Sequence, residues 1–117
     1  MAIFTLKVRD TRPILEVALK SPDGSAHDLT GSTAWKLHVK LTDGSVVTRD
    51  MVIFGAATDG VLRYTWVAGD WGAGGLPLNT APRDYQMEYE VIAGTARLTF
   101  PNDGYDTLHV VSDLGQG

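Results

Sequence analysis

The sequence predicts an all-β fold, an antiparallel sandwich of about seven to eight strands, on three observations. Apolar and polar residues alternate with period two through many short stretches, the mark of strands with one buried and one wet face. Clusters of turn formers (glycine, proline, aspartate, asparagine) separate these stretches at roughly ten-residue spacing. No stretch carries the 3.6-residue period of an amphipathic helix. A β-barrel satisfies the same alternation and stays open as the second architecture.

The hairpin predicted over Asp84 to Phe100 organises the rest. Tyr85, Met87, Tyr89 and Val91 share one face and Gln86, Glu88 and Glu90 the other. A tight turn at Gly94 leads to a return strand with Ala96, Leu98 and Phe100 inward, which Pro101 stops because it has no N–H to donate. Taken from the beginning, Ala2 to Val8 is a first strand with Phe4, Leu6 and Val8 apolar. Arg9 to Pro13 breaks it, since the residue before a proline is biased toward extended geometry. Ile14 to Lys20 restarts it with Leu15, Val17 and Leu19 inward, and Ser21-Pro22-Asp23-Gly24-Ser25 turns it.

Thr33 to Leu41 is the cleanest strand, with Trp35, Leu37, Val39 and Leu41 on one face and Lys36, His38 and Lys40 on the other. That basic face complements the acidic face of Tyr85 to Val91, so the two strands are expected to be neighbours. Asp43-Gly44 is a hairpin signal joining it to a single strand over Val46 to Phe54. There Arg49 and Asp50 interrupt the apolar series and suggest an edge or a bulge. After a turn at Gly55 to Gly60, Val61 to Val67 places Leu62, Tyr64 and Trp66 inward. Ala68 to Arg83 has no period, four glycines and two prolines, and loops of that kind are more often functional than idle. The last strand spans Tyr105 to Leu114, and Gly115-Gln116-Gly117 is expected to fray.

With 117 residues, the chain suits one domain, which buries roughly 65% of the surface its unfolded chain exposes. Cysteine is absent, so no disulfide or thiolate chemistry is available, in keeping with synthesis in a reducing cytoplasm. The net charge of -4 and pI near 5.1 are of the wrong sign for binding phosphates, so a nucleic-acid partner is not expected. Apolar runs of four to six residues and a start without a charged region or cleavage site predict neither a membrane span nor a signal peptide.

No catalytic constellation stands out, and neither enzyme activity nor a cofactor is expected. His27, His38 and His109 lie in separate segments without metal-ligand spacing and read as surface histidines. Asn102 to Asp106 lacks the further carboxylates of a calcium loop and reads as a turn. Glu88 and Glu90, imaginable as a glycosidase pair, are better explained as partners of Lys36 and Lys40. The serines lie mostly in turns, without a nucleophile elbow. In the 68–83 segment Trp71, Leu76, Pro77 and Leu78 form the candidate partner interface. Trp71 is either a cap on the core or an anchor, tryptophan being enriched in binding hot spots.

Trp35 on the third strand and Tyr85 opening the sixth match the core tryptophan and corner tyrosine of an immunoglobulin-like sandwich. A longer run of features is similar to one such family. It comprises the proline-led strand Pro13 to Leu19, an Asp-Gly turn, the step Leu29-Thr30-Gly31 and the core triplet Tyr64-Thr65-Trp66. It continues with the strand Tyr85 to Val91 and the close Phe100-Pro101-Asn102-Asp103-Gly104-Tyr105, covering about 90 residues in all. Together these resemble an immunoglobulin-like domain of tailed-bacteriophage virions, the N-terminal domain of BppU-type upper baseplate proteins. The resemblance implies a non-enzymatic virion protein, made in the host cytoplasm, that forms homo- or hetero-oligomers with other virion proteins. Two departures from the family are expected: a chain that ends just after the domain, without the family's long C-terminal part, and a longer 68–83 loop. Tail, baseplate, connector and capsid decoration therefore all stay open. The alternative function is a carbohydrate-binding or adhesin module with Trp35, Trp66 and Trp71 as an aromatic platform. Trp35 and Trp66 are in phase with the core, which leaves only Trp71 free for that role.

Overall fold

A computed structural model describes residues 3–7, 14–41, 44–66, 83–101 and 104–111. The 68–83 segment, with Trp71, Leu76, Pro77 and Leu78, lies outside them except for Arg83, as does the chain end at 115–117. The described residues form β1 (Ile3–Lys7), β2 (Ile14–Ala18), β3 (Ala34–Lys40), β4 (Val46–Asp50) and β5 (Val52–Ile53). After a short 3₁₀ turn (Ala57–Asp59) come β6 (Val61–Thr65), β7 (Arg83–Ala93), β8 (Ala96–Phe100) and β9 (Asp106–Val111). The strands build a larger sheet ordered β1-β9-β7-β3-β4, with β8 also on β7, and a smaller one ordered β2-β6-β5. One apolar core joins them, with Leu37, Val39, Met87 and Leu108 from the larger sheet meeting Leu15, Leu62, Tyr64 and Trp66 from the smaller. The fold is an all-β, mostly antiparallel sandwich.

The hairpin at the centre is confirmed in outline. β7 buries Tyr85, Met87, Tyr89 and Val91, the alternate positions its period requires. It pairs on one side with β3 and on the other with β9 over its first half and β8 over its second. β8 and β9 therefore share one edge of β7 in succession. The expectation for β8 itself is only partly met: Phe100 is buried, but Ala96 is exposed and Leu98 is 49% exposed.

The predicted neighbours β3 and β7 are paired, with Lys36 opposite Glu90 and His38 opposite Glu88. The side chains choose other partners than these: His38 Nε2 lies 3.0 Å from the diagonal Glu90 Oε1, and Lys36 forms its ion pair with Asp50, directly opposite it on β4. The Ser21–Ser25 turn is held as its residues suggest. Asp23 Oδ1 accepts from the hydroxyl and the backbone N–H of Ser25, at 2.6 and 3.0 Å, and the hydroxyl bond chiefly holds its carboxyl below the usual range.

Three expectations need correction. Val46 to Phe54 is two strands, which raises the count from the expected seven to eight to nine among the described residues. Met51 donates its N–H to Trp35 O in the larger sheet, and the next residue, Val52, pairs with Arg63 in the smaller one. Met51, 3% exposed, is the corner at which the chain changes sheets, and the Arg49-Asp50 interruption comes just before it. The sandwich is also not wholly antiparallel, because β1 runs parallel to β9 with Ile3 opposite Thr107. The break before Ile14 divides the first strand between the two sheets. Finally, the central tryptophan is Trp66, 1% exposed, stacked on Phe4 and edge-on to Tyr64 at 5.0 Å between ring centroids. Trp35 only flanks the core, and its indole N–H donates to Ser32 Oγ at 2.8 Å. Trp66 Nε1, by contrast, is buried without a hydrogen-bond partner.

Candidate functional site

Edge strands dominate the exposed apolar surface. Ile3 lies on β1, Ile14 on β2, Val46 on β4, Val52 on β5 with Phe54 just beyond it, and Leu98 on β8. Among the described residues, each of these strands borders its sheet or, for β8, has one unpaired side. Apart from Tyr105, these are the large exposed apolar side chains among the described residues. Edges in soluble proteins are ordinarily blunted by charge, proline or a covering loop, because an unpaired row of N–H and C=O groups is a template for another chain. Here exposed apolar side chains stand on the edges beside charged ones such as Glu16 and Asp50.

On the β5 side, Arg63 holds Phe54 in place. Its guanidinium lies 3.4 Å above the ring and also binds Glu16, with Nε 2.7 Å from Oε1. The phenyl ring stays 46% exposed under this clamp, a fixed apolar surface beside Val52.

A cleft of about 470 Å³ opens between the sheets on the opposite side, where β1 and β2 are the border strands. It is lined by residues 15–20 on one side and by Met87, Tyr89, Phe100 and Asp106 from the larger sheet and its edge. Asp106, 6% exposed, is the buried charged side chain among the described residues. Tyr89 donates its hydroxyl proton to Asp106 Oδ2 at 2.9 Å. Burial, the nearby Asp106 charge and this hydrogen bond all push the Tyr89 phenol well above its usual pKa, so the ring stays neutral as a donor.

The histidines are more engaged than a reading as solvated surface residues allows. His27 stacks on Phe100 at 4.9 Å between centroids, His38 lies between Thr48 and Glu90, and His109 pairs with Asp84. Glu90 also meets Arg97 at 3.4 Å, so it belongs to a surface charge cluster on the outer face of the larger sheet. No group of three metal-ligating side chains occurs among the described residues.

The sequence reading set Asp106 at the junction of the Asn102–Asp106 turn and the last strand and missed that it is the buried carboxylate opening β9. One signal was available. Tyr89 falls on the apolar face of β7, and a buried tyrosine hydroxyl requires a polar partner close by. The proposed interface residues Trp71, Leu76, Pro77 and Leu78 lie outside the described residues, so the edges and the cleft are the surfaces the structure presents.

The fold and these surfaces define a β-sandwich with apolar edge strands and a cleft between its sheets. No protein-family profile matches the chain, and no curated protein sequence does either.

Proposed function

We propose that this protein is a non-enzymatic structural component of a tailed-bacteriophage particle, in the tail, baseplate, connector or capsid decoration, acting through contacts with other virion proteins. The placement of exposed apolar side chains on strand edges that pair with no other strand among the described residues carries this reading. Such a surface gains by covering, and pairing edge to edge supplies main-chain hydrogen bonds together with apolar burial. The resemblance of the run from Pro13 to Tyr105 to virion immunoglobulin-like domains supplies the setting. A carbohydrate-binding role calls for an exposed aromatic platform, and the buried Trp66 and half-buried Trp35 do not offer one.

The test is composition and incorporation. Mass spectrometry of purified particles is expected to find the chain at fixed stoichiometry, and its absence overturns the proposal. Val46→Lys with Val52→Lys, both at exposed positions, is expected to shift stability by less than about 0.5 kcal/mol yet to reduce incorporation. Normal incorporation of that variant transfers the contact to another edge or to the segment holding Trp71. A parallel Trp71→Ala variant decides between those two.

A further inference from the structure

Leu98 occupies a core position that nothing among the described residues encloses. It stands opposite Val91 on β7, and residues directly across a ladder share a face, so both belong to the face of the larger sheet that carries the core. Val91 is 3% exposed and Leu98 49%. Ala96, two residues earlier on the same face, is exposed as well, while Phe100, two residues later, is buried. β8 thus has the alternation of a strand with a covered face, yet it is covered at one end only.

The free edge of β8 follows from its neighbours. Thr33 donates its N–H to the Ile92 carbonyl, which turns the main chain of Ile92, and by alternation that of Glu90, toward β3. Tyr89, Val91 and Ala93 therefore turn toward β8 and bond Phe100, Leu98 and Ala96, which leaves the main-chain groups of Arg97 and Thr99 pointing away from β7. Among the described residues β8 pairs with β7 alone, and residues 96–99 are all exposed. The one charged side chain of β8, Arg97, reaches back to Glu90 on β7 at 3.4 Å, so the edge calls for no counter-charge.

The two outward residues can meet an edge of the same sequence in three antiparallel registers. Arg97 opposite Arg97 sets like charges against each other, and Thr99 opposite Thr99 sets Arg97 against Pro101, which has no N–H to donate. Arg97 opposite Thr99 has neither fault. It engages both outward residues of each copy, and on the core face it sets Leu98 against Leu98 and Ala96 against Phe100. An edge that matches itself in this way closes about a two-fold axis, here at Leu98.

We infer that β8 pairs with β8 of a second copy of this chain, antiparallel and centred on Leu98, so that two larger sheets run on as one and each Leu98 covers the other. The inference rests on the reading of the protein as an assembly component and names the partner of one of its edges. A single strand pair covers less than the roughly 1,200 Å² of a stable complex, so the contact is weak between free chains and gains strength where an assembly repeats it.

The register is tested by cross-linking, since the chain has no cysteine of its own. In Leu98→Cys the two thiols face each other across a non-hydrogen-bonded pair, about 4.5 Å between Cα atoms, a separation that suits a disulfide. With oxidised glutathione this variant is expected to form a covalent dimer at least tenfold faster than Ala96→Cys or Thr99→Cys, exposed positions that do not meet their own copies. On the native protein, the amide shifts of Arg97 and Thr99 are expected to move with rising concentration while those of β4 stay fixed. Leu98→Glu brings two carboxylates together at the axis and is expected to abolish that movement. Equal cross-linking at the three positions, shifts at Arg97 and Thr99 that ignore concentration, or a movement that survives Leu98→Glu overturns the inference. Protection of these amides only on addition of another virion protein overturns it too, since the partner is then a different chain. A chain present in purified particles that does not pair with itself overturns this inference alone, whereas self-pairing by a chain missing from particles overturns only the functional reading.

Discussion

Tyr89→Phe removes one oxygen from the core, yet it carries a prediction with two parts. The lost hydroxyl donates to the buried Asp106 carboxylate, and a hydrogen bond to a charged group contributes about 1.5 to 3 kcal/mol. Near neutral pH the variant is therefore expected to be less stable by about 2 kcal/mol. The second part is in the alkaline range. In the unfolded chain the phenol ionises near pH 10, while in the fold burial first, and then the Asp106 charge, holds it neutral to higher pH. A group whose folded pKa is raised contributes stability that is complete below its unfolded pKa and is lost as pH rises beyond it. The loss proceeds at about 1.4 kcal/mol per pH unit. Phenylalanine has no proton to lose, so the gap between the two proteins should narrow by about 1.4 kcal/mol between pH 9 and 11. Urea unfolding followed by tryptophan fluorescence at several pH values measures both parts, and titration of the other tyrosines and lysines cancels in the difference. A gap that stays constant with pH would refute the alkaline argument, and a gap near zero at pH 7 would refute the role of the hydrogen bond.

Three other outcomes follow from the fold. Trp66→Ala is expected to cost about 3 to 5 kcal/mol in urea unfolding and Trp35→Ala clearly less, since only the first side chain is fully enclosed; a reversed order would contradict the core described above. Gly60→Ala should lower the thermal midpoint far more than Gly94→Ala. Both glycines have positive φ, but a Cβ at Gly60 stands 2.5 Å from the His27 carbonyl oxygen while one at Gly94 meets open space, so equal losses would mean that backbone strain alone is at work. Lys36→Glu with Lys40→Glu, combined with Glu88→Lys and Glu90→Lys, should show a coupling of about 0.5 to 2 kcal/mol by double-mutant cycle, and strict additivity would contradict the β3–β7 pairing.

Legibility in the sequence followed the reach of each physical signal. Period-two patterning located the strands and their buried faces, and complementary charge made neighbours of β3 and β7, because both signals act between residues adjacent on a strand or directly across a ladder. The sheet in which a strand lies leaves a weaker trace. Val52 and Ile53 continue the apolar series of β4, and only the corner at Met51 transfers them to the other sheet. The parallel pairing of β1 with β9 has no local signature either, since it depends on the whole intervening chain. Trp35 and Trp66 both satisfied the alternation, and their different depths follow from where the smaller sheet lies. The cleft was out of reach for the same reason, since it lies between two sheets whose relative placement alternation does not fix.

The parallel pairing has a consequence for how the chain comes to be folded. Ile3 meets Thr107, so the first strand waits for a partner made roughly a hundred residues later, about 5 to 20 seconds at ordinary rates of synthesis. Until then Phe4 lacks the sheet that positions it over Trp66. β7 is likewise unpaired along the stretch that β9 will occupy. The larger sheet is completed only once β9 has left the ribosome, which ties the order of assembly to the order of the chain.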